Sequence, residues 1–191
     1  VEENFHSLLA TAKRNDVALL IFGNPLTATT HIQLLIEAKK LGVKLQVVPG
    51  ISITNMVAQT GLDEYRFGRV VTIVAPKENY TPESFYTQIE SNFKAGLHTL
   101  CLLDIDTESQ KLMSVSEAVK LLIKIEKKKK DKFLHNSLMF GLYSMGSDQQ
   151  KIISGTSKKL SNTVFNIFPQ SLIISSELNE KEKEATGILY G

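Results

Sequence analysis

Val17-Ala18-Leu19-Leu20-Ile21-Phe22-Gly23-Asn24-Pro25-Leu26-Thr27-Ala28-Thr29-Thr30-His31 decides the fold class. Its first six residues are a continuous apolar run of strand length, which predicts a strand covered on both faces, as in a parallel sheet. Gly23-Asn24-Pro25 breaks the run. Ile32, Leu35 and Ile36 then mark an amphipathic helix, with Thr29 or Thr30 as the expected N-cap and Gly42 where a C-terminal cap belongs. Strand, turn and helix follow one another within a short distance, and the rest of the chain continues the alternation. Upstream, Phe5, Leu8, Leu9 and Ala12 keep helical spacing. Downstream, residues 45–48 read as a strand ended by Pro49-Gly50, and Ser52 opens a short helix through Ile53, Met56 and Val57. Residues 70–75 form the next expected strand, closed by Pro76.

The second half repeats the pattern. A helix is expected from Pro82-Glu83 to about Ala95, with Gly96 as its stop, and a strand over residues 99–104. Ser114-Val115-Ser116-Glu117 has the form of a capping box ahead of Ala118, Val119, Leu122 and Ile123. Residues 138–143, 151–154 and 172–175 are further strand candidates. Alternating strands and helices predict an α/β fold with a parallel or mixed sheet. Residues 76–82 are the best candidate link, giving domains over 1–76 and 77–191.

The composition is that of an ordinary globular protein: 191 residues, 42% apolar, 22% charged, with a net charge of +2. So small an excess of positive charge gives no case for direct nucleic-acid binding. Lys127, Lys128, Lys129, Lys130 and Lys132 are the one dense basic run and read as a solvated helix end. The single cysteine, Cys101, lies within Thr99-Leu100-Cys101-Leu102-Leu103, where a small buried hydrophobe is expected rather than a nucleophile. No apolar run approaches the length of a membrane span and no signal peptide is visible, so the expected compartment is the cytoplasm, with no membrane partner. The chain opens with Val1 inside a helical pattern, which raises the expectation of a missing upstream segment.

In α/β sheets, ligands bind beyond the carboxyl ends of strands. That rule selects residues 23–31, 49–55, 103–106 and 143–147, each following an expected strand. The first is the most specific. Gly23 permits a close backbone approach, Pro25 stiffens the turn, and Thr29 and Thr30 stand at a helix start whose free amides can meet an anion. A purely structural strand-turn-helix satisfies the same residues. His31 is either an aid to proton removal from a substrate amine or a partly exposed residue of the first helical turn. His98 and His135 read as strand-edge and loop residues, and His6 lies on the first helix. No histidine pair has metal-ligand spacing, and neither a P-loop nor a dinucleotide fingerprint is present. Asp104 and Asp106 are either an acid–base pair or caps of the following turn.

Taken together, these segments resemble the diphthine synthase family. Residues 23–31 are similar to its GDPxxATTH signature, and Ala38-Lys39-Lys40-Leu41-Gly42-Val43 to the segment that follows it. Ser52-Ile53 matches its (A/V)SI turn. Thr60-Gly61-Leu62 and Tyr65-Arg66-Phe67-Gly68 resemble GLxxYKFG, and residues 96–105 resemble GxHTLxxLDI. Met113-Ser114-Val115 and Asp148-Gln149-Gln150-Lys151-Ile152 resemble the eukaryotic members in particular, and Ser171-Leu172-Ile173-Ile174 resembles the last family strand. The likeness runs in order along nearly the whole chain.

The resemblance implies a tetrapyrrole-methylase-like fold, with two α/β domains enclosing S-adenosylmethionine in the cleft between them. It implies methylation of the amino group of a carboxypropyl-modified histidine on translation elongation factor 2, in diphthamide biosynthesis, with an additional methyl ester in eukaryotic members. A homodimer is implied as well. By matching positions, cofactor contacts are expected at Asn24, Thr27, Ser52, Ile53, Leu103, Tyr143 and Gln170; no residue is assigned to catalysis. The sulfonium methyl is already activated, so alignment and exclusion of water can supply much of the rate.

The chain departs from the family in four places. Asn24 stands where the family has aspartate, Tyr143-Ser144-Met145-Gly146 replaces an ARxG-like segment, and Gln170 takes the place of a histidine. Tyrosine at 143 is expected either to stack on the adenine or to block it. The family's first strand and glycine-rich loop are absent, so the first domain is expected to be incomplete and cofactor binding weak. Two further readings stand beside the main one: a tetrapyrrole methyltransferase of the same fold, and a non-catalytic binding module. A gain in methylation on restoring aspartate at position 24 would show that the scaffold still supports catalysis.

Overall fold

The computed structural model describes residues 5–106 and 110–190. They form two compact units that part in sequence between Asn55 and Met56.

In the first unit, α1 (Phe5–Ala12) and α2 (Ile32–Lys40) pack through Phe5, Leu9, Leu34 and Ala38, with Leu8 and Val43 against them. The α2 C-terminus closes as the glycine predicts. Gly42 adopts φ +67°, its N–H donates to Lys39 O at 3.2 Å, and the Val43 N–H donates to Ala38 O at 2.9 Å, the paired bonds of a Schellman motif. The N-terminus differs from expectation. The N-cap is His31, with no side-chain cap bond, while Thr29 Oγ1 accepts from the His31 N–H at 3.4 Å.

A larger correction concerns the expected strands over 17–22 and 45–48. Both segments lack strand pairing among the described residues. Leu20 is 92% exposed and Phe22 88%, where coverage on both faces was expected. Apolar residues favour an extended chain, but a strand exists only where a neighbour accepts its backbone ladder. The unit ends within α3 (Ile53–Met56), which Ser52 opens as expected.

The second unit is built on a five-stranded mixed sheet in the order β1-β2-β7-β5-β6. Its strands are β1 (Val71–Ile73), β2 (Thr99–Leu103), β5 (Met139–Tyr143), β6 (Lys151–Gly155) and β7 (Gln170–Ile174). β1 and β2 are parallel, and the remaining pairs are antiparallel. β1, β2 and β5 therefore run the same way and end on the same edge of the sheet. A small pair, β3 (Ile105–Asp106) and β4 (Lys111–Leu112), projects from that edge.

The two faces follow the period-two alternation of strands. Cys101, Leu103, Met139, Tyr143, Leu172 and Ile174 face α4 (Ser84–Lys94), α5 (Val115–Lys129), α6 (Phe133–Asn136) and α7 (Ser157–Asn162), in a core that also holds Ile89, Val119 and Leu122. Leu100, Phe140, Leu142 and Ile173 are equally buried at alternate positions, and Phe140 meets Tyr190 of α8 (Glu180–Tyr190) edge-on at 5.8 Å. The capping box at Ser114 is present in full. Cys101 is fully buried, and burial pushes its thiol pKa up. The lysine run ends α5, with Lys130 in the left-handed region. No described helix is long and apolar enough to cross a membrane.

Candidate functional site

In the first unit, the two turns singled out in the sequence come together. Gly23 adopts φ +83°, which glycine tolerates without strain. A Cβ at Gly50 would lie 2.1 Å from Gly23 O and 2.9 Å from its carbonyl carbon, so only a glycine allows this backbone-to-backbone approach. Asn24 ties the turns: its Oδ1 accepts from the Leu26 N–H at 3.0 Å, and its Nδ2 donates to Gly50 O at 3.1 Å. Thr27 follows in the same turn, its N–H reaching Asn24 O at 3.4 Å. Ser52 Oγ accepts from the Thr54 N–H at 3.3 Å and from Thr54 Oγ1 at 3.0 Å, leaving its own proton to donate. Ile53 is half-buried at the start of α3. His31 Nδ1 lies 2.9 Å from Pro25 O and its ring stands edge-on to Phe5, so the carbonyl orients it within the turn.

In the second unit, the three remaining expected contacts fall in one row at the edge where β1, β2 and β5 end. Ile73 pairs with Leu103, Leu102 with Ser171, and Gln170 with Tyr143. The β2–β7 ladder thus stops one residue before Leu103, with Gln170 at the facing position. Asp104 acts as a cap here: its Oδ2 accepts from the Ala75 N–H at 2.9 Å, and its N–H donates to Ile73 O. Asp106 pairs with Lys77 at 3.9 Å.

The side chains of Gln170 and Tyr143 are turned to other tasks. Gln170 Oε1 accepts from the Val115 N–H at 2.8 Å, one of the free donors at the start of α5. Its Nε2 donates to Phe165 O at 2.9 Å and Ile167 O at 3.0 Å, using both amide protons. The Tyr143 ring is wholly buried, edge-on to Phe165 at 4.9 Å, and bends back over Gly141, where a Cβ would come within 2.7 Å of Tyr143 Oη. Burial pushes its phenol up to about 12, and its hydroxyl has no hydrogen-bond partner among the described residues. What these positions present at the strand ends is backbone. Ser144 follows with φ +45°, and its N–H donates to Pro169 O at 2.8 Å, joining the ends of β5 and β7.

His98 stands at the edge of β2 as expected, bridged to Phe67, and what the sequence did not show is its burial. It is fully buried: Nδ1 accepts from the Ser176 N–H at 3.1 Å, so Nε2 carries the proton toward Glu182 Oε1 at 2.9 Å. Glu182 also accepts from Arg66 and from the N–H groups of Asp63 and Asn179 at 3.0 and 2.9 Å. Burial alone would raise the Glu182 carboxyl pKa; the Asp63, His98 and Asn179 bonds together outweigh it, so it lies below the ordinary range. Burial first of all lowers His98, against the raising influence of Glu182. This network anchors α8. The only sequence signal for it was the histidine in residues 96–105, with its partner 84 residues further on. Among the described residues, no group of three or more His, Cys, Asp or Glu is placed to hold a metal ion.

Comparison with known proteins assigns these features a family. Residues 2–161 match the family described as Tetrapyrrole (Corrin/Porphyrin) Methylases. A diphthine synthase from Methanocaldococcus jannaschii is 38% identical over 188 residues, spanning 97% of this chain and 73% of the relative. A diphthine methyl ester synthase from Dictyostelium discoideum is 34% identical over 200 residues, spanning 96% and 73%. A crystal structure of a diphthine synthase superposes with a TM-score of 0.85 at 27% identity, covering 99% of this chain and 71% of that one.

Proposed function

Because the chain belongs to the tetrapyrrole methylase family and, within it, to the diphthine synthases, we propose that it transfers a methyl group from S-adenosylmethionine to the modified histidine of translation elongation factor 2. It is a methyltransferase of diphthamide biosynthesis, and its fold is that of the tetrapyrrole methylases. The observation that carries the proposal is the row formed by Leu103, Gln170 and Tyr143 at one sheet edge, where the ladder beside Leu103 ends. Bare backbone next to an apolar side chain suits the edge and face of an adenine.

The available groups fit such a donor. In the first unit, half-buried Ile53 offers apolar surface and the hydroxyls of Ser52 and Thr27 supply polar contacts; in the second, the backbone at the end of β2 beside Leu103 is what is offered. Asn24 belongs to the first unit's share of the proposed contacts, and Tyr143 and Gln170 to the second's, these two through their main chains, since their side chains are engaged in that unit's interior. When bound, S-adenosylmethionine supplies an electrophilic methyl group. The residues of this chain have to hold the donor, admit the substrate amine in line and keep water away. A homodimer, a cytoplasmic location and a functional division between residues 1–76 and 77–191 go with this reading.

Labelled methyl transfer tests it. Elongation factor 2 carrying the unmethylated intermediate is expected to take up label, and a tetrapyrrole acceptor is not. Label on the tetrapyrrole alone would assign the protein to the other branch of the fold. Label on neither acceptor, with the protein folded, would favour a binding module.

A further inference from the structure

We propose that Asn24 is a positioning residue whose carboxamide clamps the Gly50 turn, and through it Ser52 and Ile53, in a way aspartate cannot reproduce. The inference rests on the reading of residues 23–31 and 49–55 as part of the donor pocket. The Leu26 N–H needs an acceptor, and Asn24 lies 3.0 Å from it, which fixes that arm of the side chain as oxygen. The other arm is therefore the amide nitrogen, and it faces the carbonyl oxygen of Gly50 at 3.1 Å. The contact joins residues 26 positions apart and lies where Gly23 and Gly50 already meet backbone to backbone. Ser52 and Ile53 follow Gly50 closely, so their position depends on where that carbonyl is held.

An aspartate in this conformation keeps the bond to Leu26 but points its second oxygen at the Gly50 carbonyl. Two acceptors at that distance repel unless the carboxyl is protonated. Where the family has aspartate, Asn24 thus serves as a loop clamp. Aspartate at position 24 is therefore expected to loosen the Gly50 turn rather than to raise methylation. The titratable group of this turn, His31, is engaged at the Pro25 carbonyl, and Glu37, Lys39 and Lys40 lie in the last turns of α2, where Glu37 pairs with Lys40. None of them supplies a donor for a carboxylate at position 24.

The test compares the unaltered protein with Asn24→Asp and Asn24→Ala, by hydrogen-exchange protection and by S-adenosylhomocysteine affinity across pH. In Asn24→Ala, the Leu26 amide and residues 50–53 are expected to lose about tenfold in protection, and affinity about tenfold at every pH. In Asn24→Asp, Leu26 stays protected because its acceptor remains. Residues 50–53 and the affinity approach the unaltered protein at the acid end of the range, where the carboxyl is protonated, and fall about tenfold once it ionises. The unaltered protein, measured across the same pH range, is the control. Unchanged protection of residues 50–53 in Asn24→Ala, or undiminished affinity of Asn24→Asp at the higher pH, would overturn the proposal. If the unaltered protein bound no S-adenosylhomocysteine, the donor reading would fail, and the exchange data would still decide the clamp.

Discussion

Residues 17–22 and residues 99–103 are both short, apolar and bounded by turn residues, yet the structure treats them oppositely. In the first, Leu20 and Phe22 stand almost fully exposed and the backbone joins no ladder among the described residues. In the second, Leu100 is 2% exposed and Cys101 is fully buried, and the strand is paired on both sides by β1 and β7. The difference lies in the neighbours. An extended apolar segment becomes a strand when flanking strands take up its N–H and C=O groups and helices cover its side chains.

The strongest way to break this contrast is to remove what secures α8 in the second unit. Glu182→Ala leaves Arg66 and His98 without their buried acceptor, and an expected loss of about 3 kcal/mol should appear as a large drop in denaturation midpoint. A value within measurement error of zero would mean the network contributes nothing to stability. Leu172→Ala, at a fully buried position of the central strand, should cost about 2–4 kcal/mol, while Leu20→Ala in the unpaired segment should stay within about 0.5 kcal/mol. Equal effects would show that residues 17–22 are packed after all.

The contrast can also be sharpened by pH. His98 is depressed in the folded protein, so the unfolded chain binds more protons below its ordinary value near 6.5. Stability should therefore be complete above about pH 6.5 and decline as pH falls toward the folded value. Glu182, also depressed, adds a second decline below its ordinary value of 4.5. Denaturant midpoints measured across this range check the sign; a midpoint rising with acidity would contradict it. A modest effect is expected at Gly42, where a Cβ would meet nothing within 4 Å and only the φ of +67° opposes it. Gly42→Ala should cost about 1 kcal/mol, visible as faster amide exchange at the end of α2.

Local signals in the sequence translated well into structure. Ser114 with Glu117 located the start of α5, Gly42 and Gly96 the ends of α2 and α4, and Ser52 the start of α3. Each works within one or two turns of chain, where a side chain or dihedral acts on its own neighbourhood. Distant pairings were not legible. The burial of His98 at the edge of β2 could not be read, because Glu182, which explains it, has no sequence relation to it. Gln170 and Tyr143 were expected at the site by resemblance alone, and the structure pairs them at one edge of the sheet. Their side chains, however, are committed to Val115, Phe165 and Ile167 by contacts that no linear pattern announces. The meeting of Gly23 with Gly50 was likewise invisible, although each glycine was noted singly.

Isothermal calorimetry with S-adenosylhomocysteine, the product left after methyl transfer, tests the central claim most directly. The account predicts weak but saturable binding with one site per chain, abolished by substituting Gly50 with a residue whose Cβ would collide with Gly23. Absence of heat at millimolar ligand, with the protein shown to be folded, would contradict it.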